Sequence, residues 1–266
     1  MAMSDMTLGQ YFPAESVIHR LDARIKIVLA IAFMVLAFLV STLQGYGMVL
    51  GLLAVTILLS HVPIRFVLKG LKPILFILIF TFVLNLFLTP GQTVWVHWWI
   101  FTITKESLLF AVQMSVRLAL LVAGTSMLTL TTAPLQLTDG LESLLRPLKA
   151  IRFPVHEMAM MMSIALRFIP TLAEEADRIR KAQAARGADF DTGGLFKRAA
   201  SLIPLLVPLF VGAFRRAEEL ATAMEARCYH GGEGRTKLTV MHMGGRDYIS
   251  LLIMVAAYLL ATVGGF

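Results

Sequence analysis

The sequence predicts an all-α integral membrane protein, with about five transmembrane helices and long helices projecting into the cytoplasm. Three observations carry that expectation. Hydrophobic residues make up 58% of the 266-residue chain and charged ones 15%, whereas soluble domains are about 45–50% apolar and about 25% charged. Mean hydropathy is +0.77. Five apolar runs, at 25–43, 46–62, 73–90, 107–131 and 248–265, approach the roughly 20 residues that a helix needs to cross a bilayer core.

Asp22 stands just before the first run and reads as its N-cap. The second run is short, and Gly47 and Gly51 suit tilt or close packing against a neighbour. Asn85 in the third run reads as an interhelical hydrogen-bonding group. Between the third and fourth runs, Trp95, Trp98 and Trp99 read as an interfacial aromatic belt. Arg117 interrupts the fourth run. An ionisable residue at that depth faces protein or water. Contact within the bundle or with a partner, and a snorkelling or internally bonded side chain, are both open.

Lysine and arginine set the orientation. Arg20, Arg24 and Lys26 precede the first span, and Arg65, Lys69 and Lys72 follow the second. The turn after the first span is uncharged, and the loop before the fourth holds only Lys105. The N-terminus and the basic block at 132–246 are therefore expected in the cytoplasm, and the C-terminus outside. Asp5 and Glu15 lie ahead of the first apolar run, so no cleavable signal peptide is read. The chain divides into a membrane region at 1–131, a cytoplasmic or interfacial region at 132–246 and a last span at 247–266.

The middle region opens at Pro134, a span terminator. Leu137, Leu141, Leu144, Leu145 and Leu148 then fall at helical spacing, which gives an amphipathic piece over 135–149. Pro147 bends or ends it. A long helix follows over 155–186. Its first half is apolar, with Met158, Met160, Met161 and Met162, and its second half is charged from Glu174 to Lys181. Pro170 marks the change and predicts a kink. The stretch 195–227 repeats the plan, apolar around Pro204 and Pro208, then charged from Arg215 to Glu225.

Both long helices close on similar tripeptides, Ala185-Arg186-Gly187 and Ala226-Arg227-Cys228. Helix capping accounts for the first by itself, since arginine favours the C-terminal dipole and glycine the left-handed cap. It accounts less well for the second, where cysteine follows the arginine. Two matching cationic ends suit two similar soluble partners, because a guanidinium offers a planar fork of donors to a groove.

Other functions find little support. Net charge is +7, but no basic patch interleaved with aromatics points to nucleic acid. Cys228 is the single cysteine, so neither an internal disulfide nor a cysteine-rich metal site is expected. The histidines (His19, His61, His97, His156, His230, His242) lack metal-ligand spacing, and no Walker-type glycine loop occurs. The chain reads as non-catalytic, without a cofactor or metal.

Taken in order, these segments resemble the transmembrane T component of energy-coupling factor transporters over nearly the whole chain. The residues that carry the resemblance begin with Gly9-Gln10-Tyr11, Ser16, His19-Arg20-Leu21-Asp22, Arg24 and Lys26. Arg117-Leu118, the run from Leu141 to Leu148, and Ala165-Leu166-Arg167-Phe168-Ile169-Pro170 follow. Most specific are Ala182-Gln183 with Ala185-Arg186-Gly187, and Ala223-Met224-Glu225-Ala226-Arg227.

The resemblance implies a non-catalytic scaffold in a bacterial or archaeal cell membrane. It would join two ABC-type ATPases, which bind the ATP, to a small hydrophobic substrate-binding S subunit for vitamin or metal-ion uptake. The long helices would be coupling helices, with Ala185, Arg186, Gly187, Ala226, Arg227 and Cys228 docking the ATPases. Cys228 stands where the family usually has glycine, which leaves the second cap's geometry open. Leu141, Leu144, Leu145, Met158, Met161 and Met162 are the expected S-subunit contacts. The rival readings are a stand-alone secondary transporter, which would gather polar groups at mid-membrane, and the membrane subunit of a conventional ABC importer.

Overall fold

The structure is a computed structural model that describes residues 11–89, 94–98, 101–188, 190, 194, 200–231 and 241–263, with the backbone alone at 94–98 and 101–103. The protein is all-α. Its helices are α1 (Ala23–Leu39), α2 (Leu43–Ser60), α3 (Ile64–Leu71), α4 (Leu75–Leu88), α5 (Lys105–Thr131), α6 (Pro134–Leu145), α7 (Val155–Ala185), α8 (Ile203–Ala226) and α9 (Gly245–Val263). Backbone contacts divide the chain into two compact units, one within Leu144–Thr239 and one combining Gly9–Ser143 with Val240–Phe266.

In the second of these units, α2, the stretch Ile64–Leu88, α5 and α9 are long and apolar enough to cross a membrane. α1 has 17 residues, the lower end of the roughly 17–25 that suffice. The Asp22 carboxylate caps α1 by accepting from the Arg24 amide at 2.9 Å. Thr42 starts α2, and Thr104 starts α5 through a reciprocal box with Ser107. Pro134 becomes the first residue of α6, where its missing N–H has no helical partner to lose.

The core gathers Phe33, Leu36, Val40, Val49, Leu120, Ala123, Met127, Leu130, Met254 and Ala257 from α1, α2, α5 and α9. At Gly124 an added Cβ would stand 2.5 Å from the Phe33 ring, so glycine there lets α5 and α1 meet closely. The Tyr258 hydroxyl donates to the Ala32 carbonyl at 2.9 Å and fastens α9 to α1. α4 has no buried residue. Its Phe76, Ile77, Phe80 and Leu88 stay exposed and suit lipid.

Two features depart from the sequence reading. Residues 63–72, between the second and third apolar runs, are expected to form a loop, yet Ile64–Leu71 is helical and runs through the 3-10 turn Lys72–Ile74 into α4. Val67 drives this, because it is buried in the core. The second feature is a short hairpin between α4 and α5, the only strands among the described residues. Its strands β1 (Val94–Trp98) and β2 (Phe101–Thr104) pair antiparallel, with Trp98 opposite Phe101. Val94, Val96, Thr102, Ile103 and Thr104 suit extended backbone. Trp95 and Trp98 lie on β1, but their side chains and Trp99, the expected aromatic belt, fall outside the described residues.

The other unit contains α7 and α8, with 31 and 24 residues. At 1.5 Å per residue they are about 46 and about 36 Å long. Helical structure continues through Pro170 and Pro208. The two helices pack together at Gly212, where an added Cβ would lie 3.1 Å from a Glu175 carboxylate oxygen. Arg216, one turn further along α8, pairs with Glu175. The 3-10 turn Arg146–Ile151 precedes α7. Pro147, within its first residues, removes the amide that α-helical continuation needs.

Candidate coupling sites on two helix ends

α7 and α8 end in the same way. At the end of α7, the Ala188 amide donates to the Gln183 carbonyl at 3.0 Å and the Gly187 amide to Ala184 at 3.0 Å. At the end of α8, the Tyr229 amide donates to Met224 at 3.0 Å and the Cys228 amide to Glu225 at 2.8 Å. These six-to-one and five-to-two bonds define a Schellman turn. Arg186 and Arg227 are the cap residues, with φ,ψ of −87,6 and −93,16. Gly187 and Cys228 follow with φ of 90 and 56. Cys228 thus takes the left-handed conformation that glycine takes at the first end.

Ala185, Arg186, Gly187, Ala226, Arg227 and Cys228 are all exposed. Neither Arg186 nor Arg227 has an ion-pair or hydrogen-bond partner for its guanidinium among the described residues. Each end therefore presents an exposed planar cation on a tight turn flanked by small side chains. Such a surface can enter a groove lined by carboxylates or carbonyls.

The apolar residues expected to meet a membrane partner lie on α6 and α7. Leu141 on α6 is 49% exposed, and Met158, Met161 and Met162 on α7 are 43%, 59% and 53% exposed. Leu144 and Leu145, at the end of α6, are half-buried.

Arg117 and Asn85 serve internal bonds. The Arg117 guanidinium donates to the Val40 carbonyl at 2.9 Å, just past the end of α1. It also lies over the Phe38 and Tyr46 rings, at 5.9 and 5.8 Å. A residue at mid-helix by sequence thus reaches the turn between α1 and α2, where a free carbonyl needs a donor. Gln113, one turn earlier, donates to Ser41 in the same turn. Asn85 bonds within its own helix, donating to Thr81 at 2.8 Å.

Sequence reasoning missed a buried polar knot in the membrane unit. Lys26 is 5% exposed and Asp247 4%. The Lys26 ammonium donates to the carbonyls of His19 and Thr131 at 3.0 and 2.9 Å, and the charges of Asp247 and Asp22 lie nearby. Asp247 accepts from the Asp22 and Gly244 amides at 2.9 and 2.8 Å. Gly140 of α6 lies against this point, since an added Cβ would meet the Ala23 Cβ at 3.1 Å. The knot joins the chain before α1, the end of α5 and the start of α9. The only signal in the sequence was the run of charges ahead of an apolar span.

His19 completes the knot. One ring nitrogen lies 2.8 Å from the Ser16 hydroxyl, the other 3.0 Å from the Phe12 carbonyl. A carbonyl only accepts, so the nitrogen facing Phe12 carries the proton in the neutral ring. Burial pushes the imidazole below its ordinary value, and the Lys26 charge adds to this against the Phe12 bond.

Comparison with known proteins agrees with this architecture. Residues 14–238 match the family model CbiQ, described as cobalt transport protein. A protein of Acidaminococcus fermentans named energy-coupling factor transporter transmembrane protein EcfT is 49% identical over 258 residues, covering 97% of this chain and 96% of its own. The protein of that name from Ruminiclostridium cellulolyticum is 54% identical, covering 88% and 87%. The one from Bacillus subtilis is 47% identical, covering 96% and 97%. The family model covers both arginine ends and the relatives span most of the chain, so this chain belongs to the CbiQ family and is a transmembrane component of the energy-coupling factor transporter type.

Proposed function

We propose that the chain is the scaffold and coupling subunit of an energy-coupling factor importer. Arg186 docks on one ABC-type ATPase and Arg227 on a second. The observation that carries this reading is the matched pair of Schellman ends, each presenting an exposed arginine without a partner among the described residues. The two ends differ in sequence but share the Schellman bond pattern, so they suit two related grooves. The N-terminus and the 132–246 region lie in the cytoplasm in this reading, and the C-terminus outside.

ATP binding closes the ATPase pair and draws the docked ends together. α7 and α8 convey that displacement, because a helix is stiff along its axis and the Glu175–Arg216 contact holds the two helices to each other. A small S subunit supplies substrate specificity, for a vitamin or a metal ion. Leu144, Leu145, Met158, Met161 and Met162 of one unit, and Leu141 of the other, are its proposed contacts. Methionine suits such a surface because its flexible thioether repacks easily. The chain contributes no ATP chemistry; hydrolysis belongs to its partners.

Co-purification tests the reading. The tagged chain is co-expressed with ABC ATPases and extracted in detergent, beside Arg186→Glu/Arg227→Glu. Wild type is expected to retain the ATPases and the variant to lose them. ATPases held equally by both would move the docking surface elsewhere. ATPases held by neither would favour a stand-alone transporter.

A further inference from the structure

We propose that α3 is a docking strip for the headgroups of anionic phospholipids. Arg65 and Lys69 on α3, and Lys72 at its cap, recur at spacings of four and three, so they share one face. All three are exposed, and none has an acidic partner among the described residues. The opposite face is fixed. Val67 is 3% exposed and sits in the core with Leu120, Ala123 and Met127. At Gly70 an added Cβ would stand 2.9 Å from the Ser126 hydroxyl, so the helix lies close on α5. Packing on one side therefore holds the cationic strip outward on the other.

Beside that strip runs an apolar edge. Ile64 and Leu68 are 59% and 56% exposed. The strip also leads, through the 3-10 turn Lys72–Ile74, directly into the lipid-facing α4. An amphipathic helix of this kind rests at the boundary between headgroups and acyl chains, with its apolar edge in the chains and its cations on phosphates. The charge and the apolar edge together specify the occupant. A free phosphate would satisfy the cations and leave Ile64 and Leu68 uncovered, whereas a phospholipid covers both.

The test is thermal unfolding of the purified full-length chain in detergent, titrated with phosphatidylglycerol, phosphatidylcholine or glycerol phosphate. Phosphatidylglycerol is expected to raise Tm, and the other two are not. Each cation near a lipid surface contributes on the order of 5-fold in affinity. Arg65→Gln/Lys69→Gln/Lys72→Gln should therefore weaken the apparent affinity by on the order of 100-fold. Arg65→Lys/Lys69→Arg/Lys72→Arg should retain it. Lys181→Gln/Arg215→Gln, which removes two cations elsewhere, should also retain it. An equal shift with phosphatidylcholine would overturn the proposal, as would an equal shift with glycerol phosphate. So would an undiminished response in the glutamine variant.

Discussion

Gly187 and Cys228 occupy equivalent positions at the ends of α7 and α8, both left-handed, with φ of 90 and 56. Each amide closes the same backbone bond, to Ala184 and to Glu225. A side chain in this region costs roughly 1–2 kcal/mol, and glycine avoids that cost. Cys228→Gly should raise stability by about 1 kcal/mol and leave docking intact. Cys228→Val should lower it, because a β-branched residue fits this conformation worst. Thermal unfolding of the two variants beside wild type checks both directions. A destabilised Cys228→Gly would mean that the thiol makes a contact of its own.

The buried knot predicts a severe effect from a small change. Lys26→Met removes a donor to Thr131 and His19 and leaves Asp22 and Asp247 without the nearby cation. A buried carbonyl left without its donor costs about 1–3 kcal/mol. Adding Asp247→Asn to Lys26→Met should cost less than the two single losses summed, since neighbours in one network do not act independently. A double-mutant cycle by thermal unfolding measures the coupling, and strict additivity would contradict the network.

His19 gives the membrane unit a pH dependence. Its imidazole lies below the ordinary 6.5 in the folded protein, chiefly through burial. The folded state therefore favours the neutral ring. The stability it contributes is present above about pH 6.5 and is lost as pH falls through the folded-state value. Tm should drop more steeply between about pH 7 and about pH 5 in wild type than in His19→Gln. Parallel curves for the two proteins would contradict this.

Glu175 and Arg216 are each partly buried, at 27% and 29% side-chain exposure, beside the close approach at Gly212. Their coupling in a double-mutant cycle should be about 1 kcal/mol, the upper range for a pair that solvent still reaches. Gly212→Leu should separate α7 from α8 at this point. ATP hydrolysis by a reconstituted complex should then continue while substrate uptake falls. Equal loss of both activities would mean that the contact serves assembly alone.

Helix periodicity and capping chemistry made much of this architecture legible. Asp22, Pro134 and the ends of α7 and α8 stand where local rules place them, because caps depend on residues within one turn. The α3 helix was hidden, since eight residues with three nearby cations look like a loop until Val67 is known to be buried. Arg117 was ambiguous for a related reason. Its partner, the Val40 carbonyl, is 77 positions away, and backbone carbonyls leave no mark in a sequence. The Lys26–Asp247 association was equally invisible, since charges beside an apolar run look like flanking residues until folding brings distant segments together. The hairpin β1–β2 escaped notice because its aromatic residues were read as an interfacial belt.

The most direct measurement of the docking account uses Cys228 itself, the single and exposed cysteine. Its rate of maleimide labelling in native membranes is compared with and without co-expressed ABC ATPases. The comparison is repeated at the other end in Gly187→Cys/Cys228→Gly. Docking predicts that both sites react freely in the isolated chain and become protected when the ATPases are bound. Full reactivity at either site in an intact complex would contradict an ATPase seated on that arginine end.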